Sequence, residues 1–407
     1  MDSHVLHTID PAVLGERIME ARRARGLTQE TVAQELAVAR TTITAMEKGK
    51  RRPRAAELAK LAQLFGRSVF EFVRSDPTPS EPSFLVQFRK AHSRNDSIAE
   101  RDQDVHQLEQ LCRWFVELER LLEAPPPHRF PELYDIAGMP PEQAGINVAS
   151  AERNRLGLGD GPIPDLWGTL ESDVGLRLFA FPMKDSKVAG MFIFTGEYGG
   201  SLAINANHPR ERQRWSLARE YAHFLTDRYR PEITLLGTNR PNQQSEQFAE
   251  EFALNFLMPS PGLSRRFAAI WRTTGGRVTP AELLQLSHLY RVSAQAMILR
   301  LEKLDLLPRG TWDELKEKGF RPNEAKRLLG PEVEKTGATR LPHRYVTLAV
   351  QAFLASELSE GQLAERLRTH RLDAREQVNS LIHEDMPSKS GERGQITFDL
   401  NAPLVGV

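Results

Sequence analysis

The residues best equipped for chemistry lie between Gln213 and Asp227, in QRWSLAREYAHFLTD. Trp215, Ala218, Tyr221, Ala222 and Leu225 recur at steps of three and four, the spacing of a helix's buried face. On that helix Arg219 and His223 stand one turn apart with Glu220 beside them, so Arg-Glu-Tyr-Ala-His is an HExxH frame whose first histidine is arginine. The intact frame works because two imidazoles a turn apart bind one Zn²⁺ and the glutamate after the first polarises metal-bound water. Arg219 cannot be that ligand, since a guanidinium stays protonated and offers donors where a metal needs a lone pair. On its own the frame reads as an amphipathic helix with a core or surface histidine. Downstream, Glu246-Gln247-Phe248-Ala249-Glu250 opens an apolar helix through Phe252, Ala253, Phe256 and Leu257 that Pro259 stops. A glutamate there can bring a third ligand beside the first helix.

Taken together, His208-Pro209, Arg212 to Ala218, Glu220, His223, Glu246 to Glu250, Phe252-Ala253 and Leu257-Met258-Pro259 resemble the ImmA/IrrE family of metallopeptidases, over Ile163 to Pro259. The resemblance implies a zincin-like domain in which His223 and Glu246 hold zinc, Glu220 is the general base, and Glu250 supports them where the family usually has Asn or Asp. Arg219 is the departure: it removes one ligand and puts a fixed charge in its place. His208 is a substitute ligand only at first sight, because His208-Pro209 is itself a family element with an expected structural role. In a pseudo-site, Arg219 is expected to project toward Glu246, Glu250 or both, its guanidinium taking over the charge balance that zinc provides elsewhere.

The chain has 407 residues, enough for two or three domains with real cores. Lys plus Arg and Asp plus Glu number 54 each, so net charge names no partner. A single cysteine, Cys112, excludes an internal disulfide framework and fits a reducing compartment. No apolar run has membrane-spanning length, and MDSHVLHTID lacks the regions of a signal peptide, so a cytoplasmic location is expected.

From Ala12 to Phe72 the pattern predicts five short helices: Val13 to Ala24, broken by Gly26; one capped by Thr28 and carrying Val32, Ala33 and Leu36; Arg40 to Lys48 after a turn at Ala37-Val38; then Ala55 to Phe65 and Ser68 to Val73. Residues 12–75 hold thirteen Lys/Arg against seven Asp/Glu, a surplus suited to a phosphate backbone. LTQETVAQELAVARTTITAMEKGKRRP resembles the helix-turn-helix of the XRE/Cro repressor family along its whole length. The resemblance implies that Gln29 starts the second helix against a phosphate of double-stranded DNA. Arg40, Thr41, Thr42 and Thr44 would lie on the groove-facing start of the recognition helix, and Lys48, Lys50 and Arg51 would meet the backbone. Position 39, often a capping serine in that family, is alanine.

The rest of the chain divides around these two motifs. Ser75 to Ser83, with three prolines, reads as a linker, and Ser97 to Leu122 as a long helix that joins domains, pairs with its own copy or packs in a core. A helix is expected between Pro140 and Leu156, and strands at Leu176 to Phe181, Gly190 to Thr195 and Ser201 to Asn205, giving a small α+β core. Pro280 to Leu301 resembles the family's own helical pair, and three short helices are expected at Tyr345 to Ala355, Ser359 to Arg368 and Asp373 to Ile382, the second opened by a Ser359/Gln362 capping box. For these three, a second DNA-binding unit is conceivable, but a partner-binding or dimer-completing bundle is favoured by the weaker basic surplus.

The fold class is mainly α with an α+β core. Its expected parts are a tail (1–11), a helix-turn-helix domain (12–75), a linker with the long helix (76–131), a metallopeptidase domain (132–330), a C-terminal helical region (331–386) and a polar tail (387–407). Three functions fit: a sequence-specific DNA-binding regulator, expected as a homodimer, whose peptidase-like domain is a weak or inactive sensor holding a repressor or other protein segment; an active zinc endopeptidase cleaving such a partner; and an antitoxin or defence-system interaction protein.

Overall fold

A computed structural model describes residues 10–25, 27–65, 69–73, 84, 98–125, 130–230, 232–235, 243–322 and 337–382. Gly26, the proline-rich linker and the polar tail lie outside the described residues. The chain separates into two compact units, Met1–Gln110 with Arg230–Ile233, and Leu111–Tyr229 with Thr234–Val407. Among the described residues it is mainly helical with one small sheet, and no described helix is long and apolar enough to cross a membrane.

Among the described residues, the first unit begins with short helices α1 (Pro11–Ala24), α2 (Gln29–Leu36), α3 (Arg40–Glu47), α4 (Ala55–Phe65) and α5 (Val69–Val73). Local chemistry sets their ends. Asp10 caps α1 through the amide of Ala12, with Pro11 at the first helical position, and Thr28 caps α2 through the amide of Thr31. Ala37 adopts the left-handed conformation (φ 54°), which stops α2 and lets α3 start three residues later; Ala39 contributes no side-chain cap. Leu14, Ile18, Val32, Leu36, Ile43, Met46, Leu58, Leu61 and Phe65 form one buried core. Close contact of α1 with the end of α3 depends on Gly15, where a Cβ would fall 2.5–2.8 Å from backbone atoms of Met46, Glu47 and Gly49.

In the second unit, α6 (Ile98–Leu121), which spans the boundary between the units, supplies Phe115, Glu117 and Glu119. It is followed by α7 (Pro141–Arg155), β1 (Arg177–Phe181), β2 (Val188–Thr195), β3 (Gly199–Asn205) and α8 (Arg210–Asp227). β4 (Glu232–Leu235), a four-residue strand absent from the sequence expectation, joins the sheet in the order β1-β3-β2-β4. β1 runs parallel to β3 and β2 antiparallel to it, and backbone hydrogen bonds exchanged between Ala180 and Arg340 occupy the outer side of β1. Next come α9 (Gln243–Leu257), α10 (Ser260–Thr273), α11 (Pro280–Tyr290), α12 (Ala294–Lys303), α13 (Thr311–Glu317), α14 (His343–Leu354), α15 (Glu360–Leu367) and α16 (Arg371–Ile382). Apolar faces of α7, α8, α9, α11 and α12 share one core with the sheet.

The C-terminal helices belong to this unit through polar and aromatic ties: Arg366 to Glu117 at 3.0 Å, Arg344 Nε to Glu119 Oε1 at 3.5 Å, and the buried Tyr345 ring edge-on to Phe115. Replacing Gly15 with valine forces α1 off α3 and is expected to cost about 1–3 kcal/mol. Urea unfolding followed by circular dichroism will show the first unit's transition at lower denaturant and the second unit's unmoved.

Candidate functional site

α8 and α9 lie antiparallel, so residues climbing one helix meet residues descending the other. Trp215 Nε1 donates to Glu250 Oε2 at 3.0 Å, Arg219 Nε lies 3.1 Å from Glu250 Oε1, Arg219 Nη2 donates to Glu246 Oε2, and His223 Nδ1 is 3.5 Å from Ser245 Oγ. Trp215, Arg219 and His223 are spaced by four and form one stripe, as are Glu246 and Glu250 on the facing helix. A single guanidinium thus bridges carboxylates from two successive turns, a task suited to its planar fork of donors. The bridge is largely shielded: Arg219 is 9% exposed, whereas the Glu250 side chain is half exposed and keeps contact with solvent.

Glu220 faces the opposite way. It is fully buried, and a Cβ built on Gly190 of β2 would lie 3.5 Å from its Cγ, which places it against the sheet. His223 is 3% exposed. His208 points its Nε2 at the Ser186 carbonyl, 2.9 Å away, so that nitrogen donates, and its own carbonyl accepts from Gln213; these bonds pin the turn before α8. His208 is a structural residue in this arrangement.

The surrounding polar network fixes both helices. Glu152 on α7, fully buried, accepts from Tyr134 at 2.8 Å, from Tyr221 of α8 and from Arg155 at 2.8–2.9 Å. Burial, together with the Glu152 hydrogen bond, pushes the Tyr134 hydroxyl up to about 12 and Tyr221 well above its ordinary range, so both remain donors. At the far end of α9, two buried arginines satisfy the last carbonyls. Arg153 donates to Phe256, and Arg300 to Met258 at 3.2 Å and to Asn255 Oδ1 at 2.7 Å. Burial lowers the affinity of both guanidiniums for their protons, Arg153 to about 10, still far above neutrality.

Zinc would need four lone-pair donors converging on one point. Here the guanidinium already occupies the space between the two carboxylates, one of them the ligand the family implies. Among the described residues no group of three or more His, Cys, Asp or Glu is arranged to hold a metal ion. The donor set does not fit zinc.

In the first unit, Gln29 opens α2 and its side chain is drawn inward: Nε2 donates to Glu47 Oε2 at 2.7 Å and Oε1 accepts from Thr44 at 3.2 Å. Glu47 is also paired with Arg22 at 2.5 Å. Arg40, Thr41, Lys48 and Lys50 are exposed, Thr42 is half-buried, and Arg51 pairs with Glu57 at 2.8 Å, which also holds the Arg54 amide. The sequence reading placed Trp215 on the helix's buried face and gave it no role at the site, although its place four residues before Arg219 marks it as part of the same stripe. It also missed Glu47, Glu152, Arg153 and Arg300; apart from the Glu152–Arg155 pair three residues apart, the partners named for them lie in distant segments and leave no local signal.

Arg219→Ala leaves Glu246 and Glu250 facing one another without their shared cation and is expected to cost about 2 kcal/mol. Arg219→Lys recovers only part of this, because an ammonium cannot span both carboxylates. Urea midpoints of the three proteins check the order.

Two family models match the chain: Helix-turn-helix over residues 18–72, and IrrE N-terminal-like domain over residues 171–302. The comparison with curated proteins found no match. The first match runs from within α1 into α5, and the second covers the sheet, the arginine-bridged helices and the α11–α12 pair. The protein is thus a fusion that carries an XRE/Cro-type helix-turn-helix and an ImmA/IrrE-type metallopeptidase-like domain on one chain.

Proposed function

We propose that the protein is a sequence-specific transcriptional regulator that binds double-stranded DNA as a homodimer through residues 12–75, and that its peptidase-like domain is a metal-free sensor holding a protein segment rather than hydrolysing it. The observation that carries this reading is the Arg219 guanidinium seated on Glu246 and Glu250. A guanidinium balances charge as a metal does, but it has no open coordination position and cannot generate hydroxide from bound water. Deep burial of Glu220 supports the same reading, since a general base must reach the water it activates.

On the DNA side, Arg40 and Thr41 stand exposed at the start of α3, where side chains of this motif read base edges, and Thr42 and Thr44 complete that edge. Gln29, held between Glu47 and Thr44, positions the recognition helix and presents the N-terminus of α2 to a phosphate. Lys48, Lys50 and Arg51 add backbone contacts.

Elemental analysis of this protein and of Arg219→His, purified alike without chelator, tests the sensor reading. Near-stoichiometric zinc only in the histidine variant is the expected result. Zinc in both proteins overturns it and restores the endopeptidase. For the DNA half, Arg40→Ala is expected to cost about 1–3 kcal/mol and relax preference at one base position, whereas Lys50→Ala weakens all duplexes alike and lowers the salt slope by about one. Binding titrations at several salt concentrations separate the two effects.

A further inference from the structure

The three C-terminal helices repeat the backbone plan of the first unit, position for position. Each element lies 331 residues after its counterpart: the capping residues Thr28 and Ser359, the eight-residue helices Gln29–Leu36 and Glu360–Leu367, the left-handed residues Ala37 and Arg368, and the first residues of the third helices, Arg40 and Arg371. The turn dihedrals coincide, φ 54° and ψ 43° at Ala37 against φ 53° and ψ 42° at Arg368. The hydrogen bond that closes the turn runs from Val38 to Ala33 at 2.9 Å in one unit and from Thr369 to Ala364 at 3.0 Å in the other. Buried positions coincide as well, Leu14 with Tyr345, Ile18 with Ala349, Ala21 with Ala352, Val32 with Leu363, Leu36 with Leu367 and Ile43 with Ala374.

The left-handed turn is not by itself distinctive of α14 to α16. Arg291, between α11 and α12, has the same conformation, but its first helix is eleven residues long and both helices are built into the second unit's main core. What distinguishes α14 to α16 is the whole register across three helices, together with a third helix that buries Ala374 and Val378 and leaves most of its surface outward. Two substitutions adapt the plan. The buried ion pair Arg22–Glu47 has Phe353 and Val378 at its register positions, an apolar solution at the same place. Gly15 corresponds to Val346, so the close approach seen between α1 and α3 is not reproduced.

We infer that α14 to α16 form a second helix-turn-helix that contacts double-stranded DNA through the turn and first residues of α16. Arg368, His370, Arg371 and Arg375 are all exposed there, and over 368–375 the only carboxylate is Asp373. Arg371 stands at the register position of Arg40, and Arg375, which reaches Glu360 at 2.7 Å, repeats the Thr44–Gln29 contact across the turn. Over the whole of 343–382 five arginines face five carboxylates, and Arg344 and Arg366 are engaged within the unit. The second contact therefore rests on few charges and adds a short phosphate footprint to that of the first unit.

The test uses the full chain and the 40-bp duplexes it selects from a randomised pool, read by hydroxyl-radical footprinting and by titration across salt concentrations. Arg368→Gly suits the left-handed position and leaves the turn intact, and Arg371→Ala removes the second charge. In the double variant, one of two protected segments is expected to disappear, affinity to fall about ten-fold and the salt slope to drop by about two. An unchanged footprint with affinity within two-fold of the parent overturns the inference. So does a double variant that keeps its DNA affinity but changes its association state in sedimentation, which would make these helices a protein-contact surface. A parent chain that selects no duplex overturns this inference and the DNA half of the proposed function alike, whereas loss confined to an Arg40→Ala control leaves that half standing alone.

Discussion

The contact on which the peptidase-like domain turns is Arg219 laid across Glu246 and Glu250. In an HExxH site the ion ties two helices together while keeping one position open for water. A guanidinium performs the first task and forfeits the second, because its donors point along fixed directions in one plane. The ion pairs reach partly into solvent, so their presence adds modest stability. Their removal is another matter, since two carboxylates one turn apart would then face each other beside a partly buried indole. The arginine is therefore better understood as a condition of this helix pairing than as an increment to it.

The DNA-type unit is organised by a comparable constraint. Glu47, buried at the end of α3, receives Arg22 from α1 and Gln29 from α2, so one carboxylate ties three helices. Fixing the end of α3 also fixes the angle at which its exposed start stands. The same residues that stabilise the unit thus set the orientation of that exposed start. The register equivalents Phe353 and Val378 show that the fold tolerates an apolar answer to the same packing question.

Much of this was legible in the sequence because it is local. Thr28 and Ser359 announce helix starts through side-chain oxygens placed three residues before the amides they accept from, and the apolar spacing in α8 follows from helical period alone. The spacing of Arg219 and His223 on one helix face was readable for the same reason, since the two positions sit one turn apart. The strand β4 was not readable: four residues carry too little alternation to distinguish them from a loop. Nor was the Glu152 cluster, in which a glutamate that looks like any surface carboxylate of an amphipathic helix is buried by Tyr134 and Tyr221, residues close in space and separate in sequence. The repeat at the C-terminus escaped a reading based on charge because its likeness to the first unit lies in backbone register and buried positions.

The two arginines that close the carboxyl end of α9 have a consequence for how such a domain can change over time. Arg153 and Arg300 anchor that helix by its last carbonyls, at the end remote from Glu246 and Glu250. Its carboxyl end is thus held at a distance from whatever cation lies at its opening turn. A scaffold anchored in this way can exchange an ion for a side chain in one substitution without losing its shape. The architecture separates inheritance of form from inheritance of chemistry, and a lineage can keep the first while giving up the second.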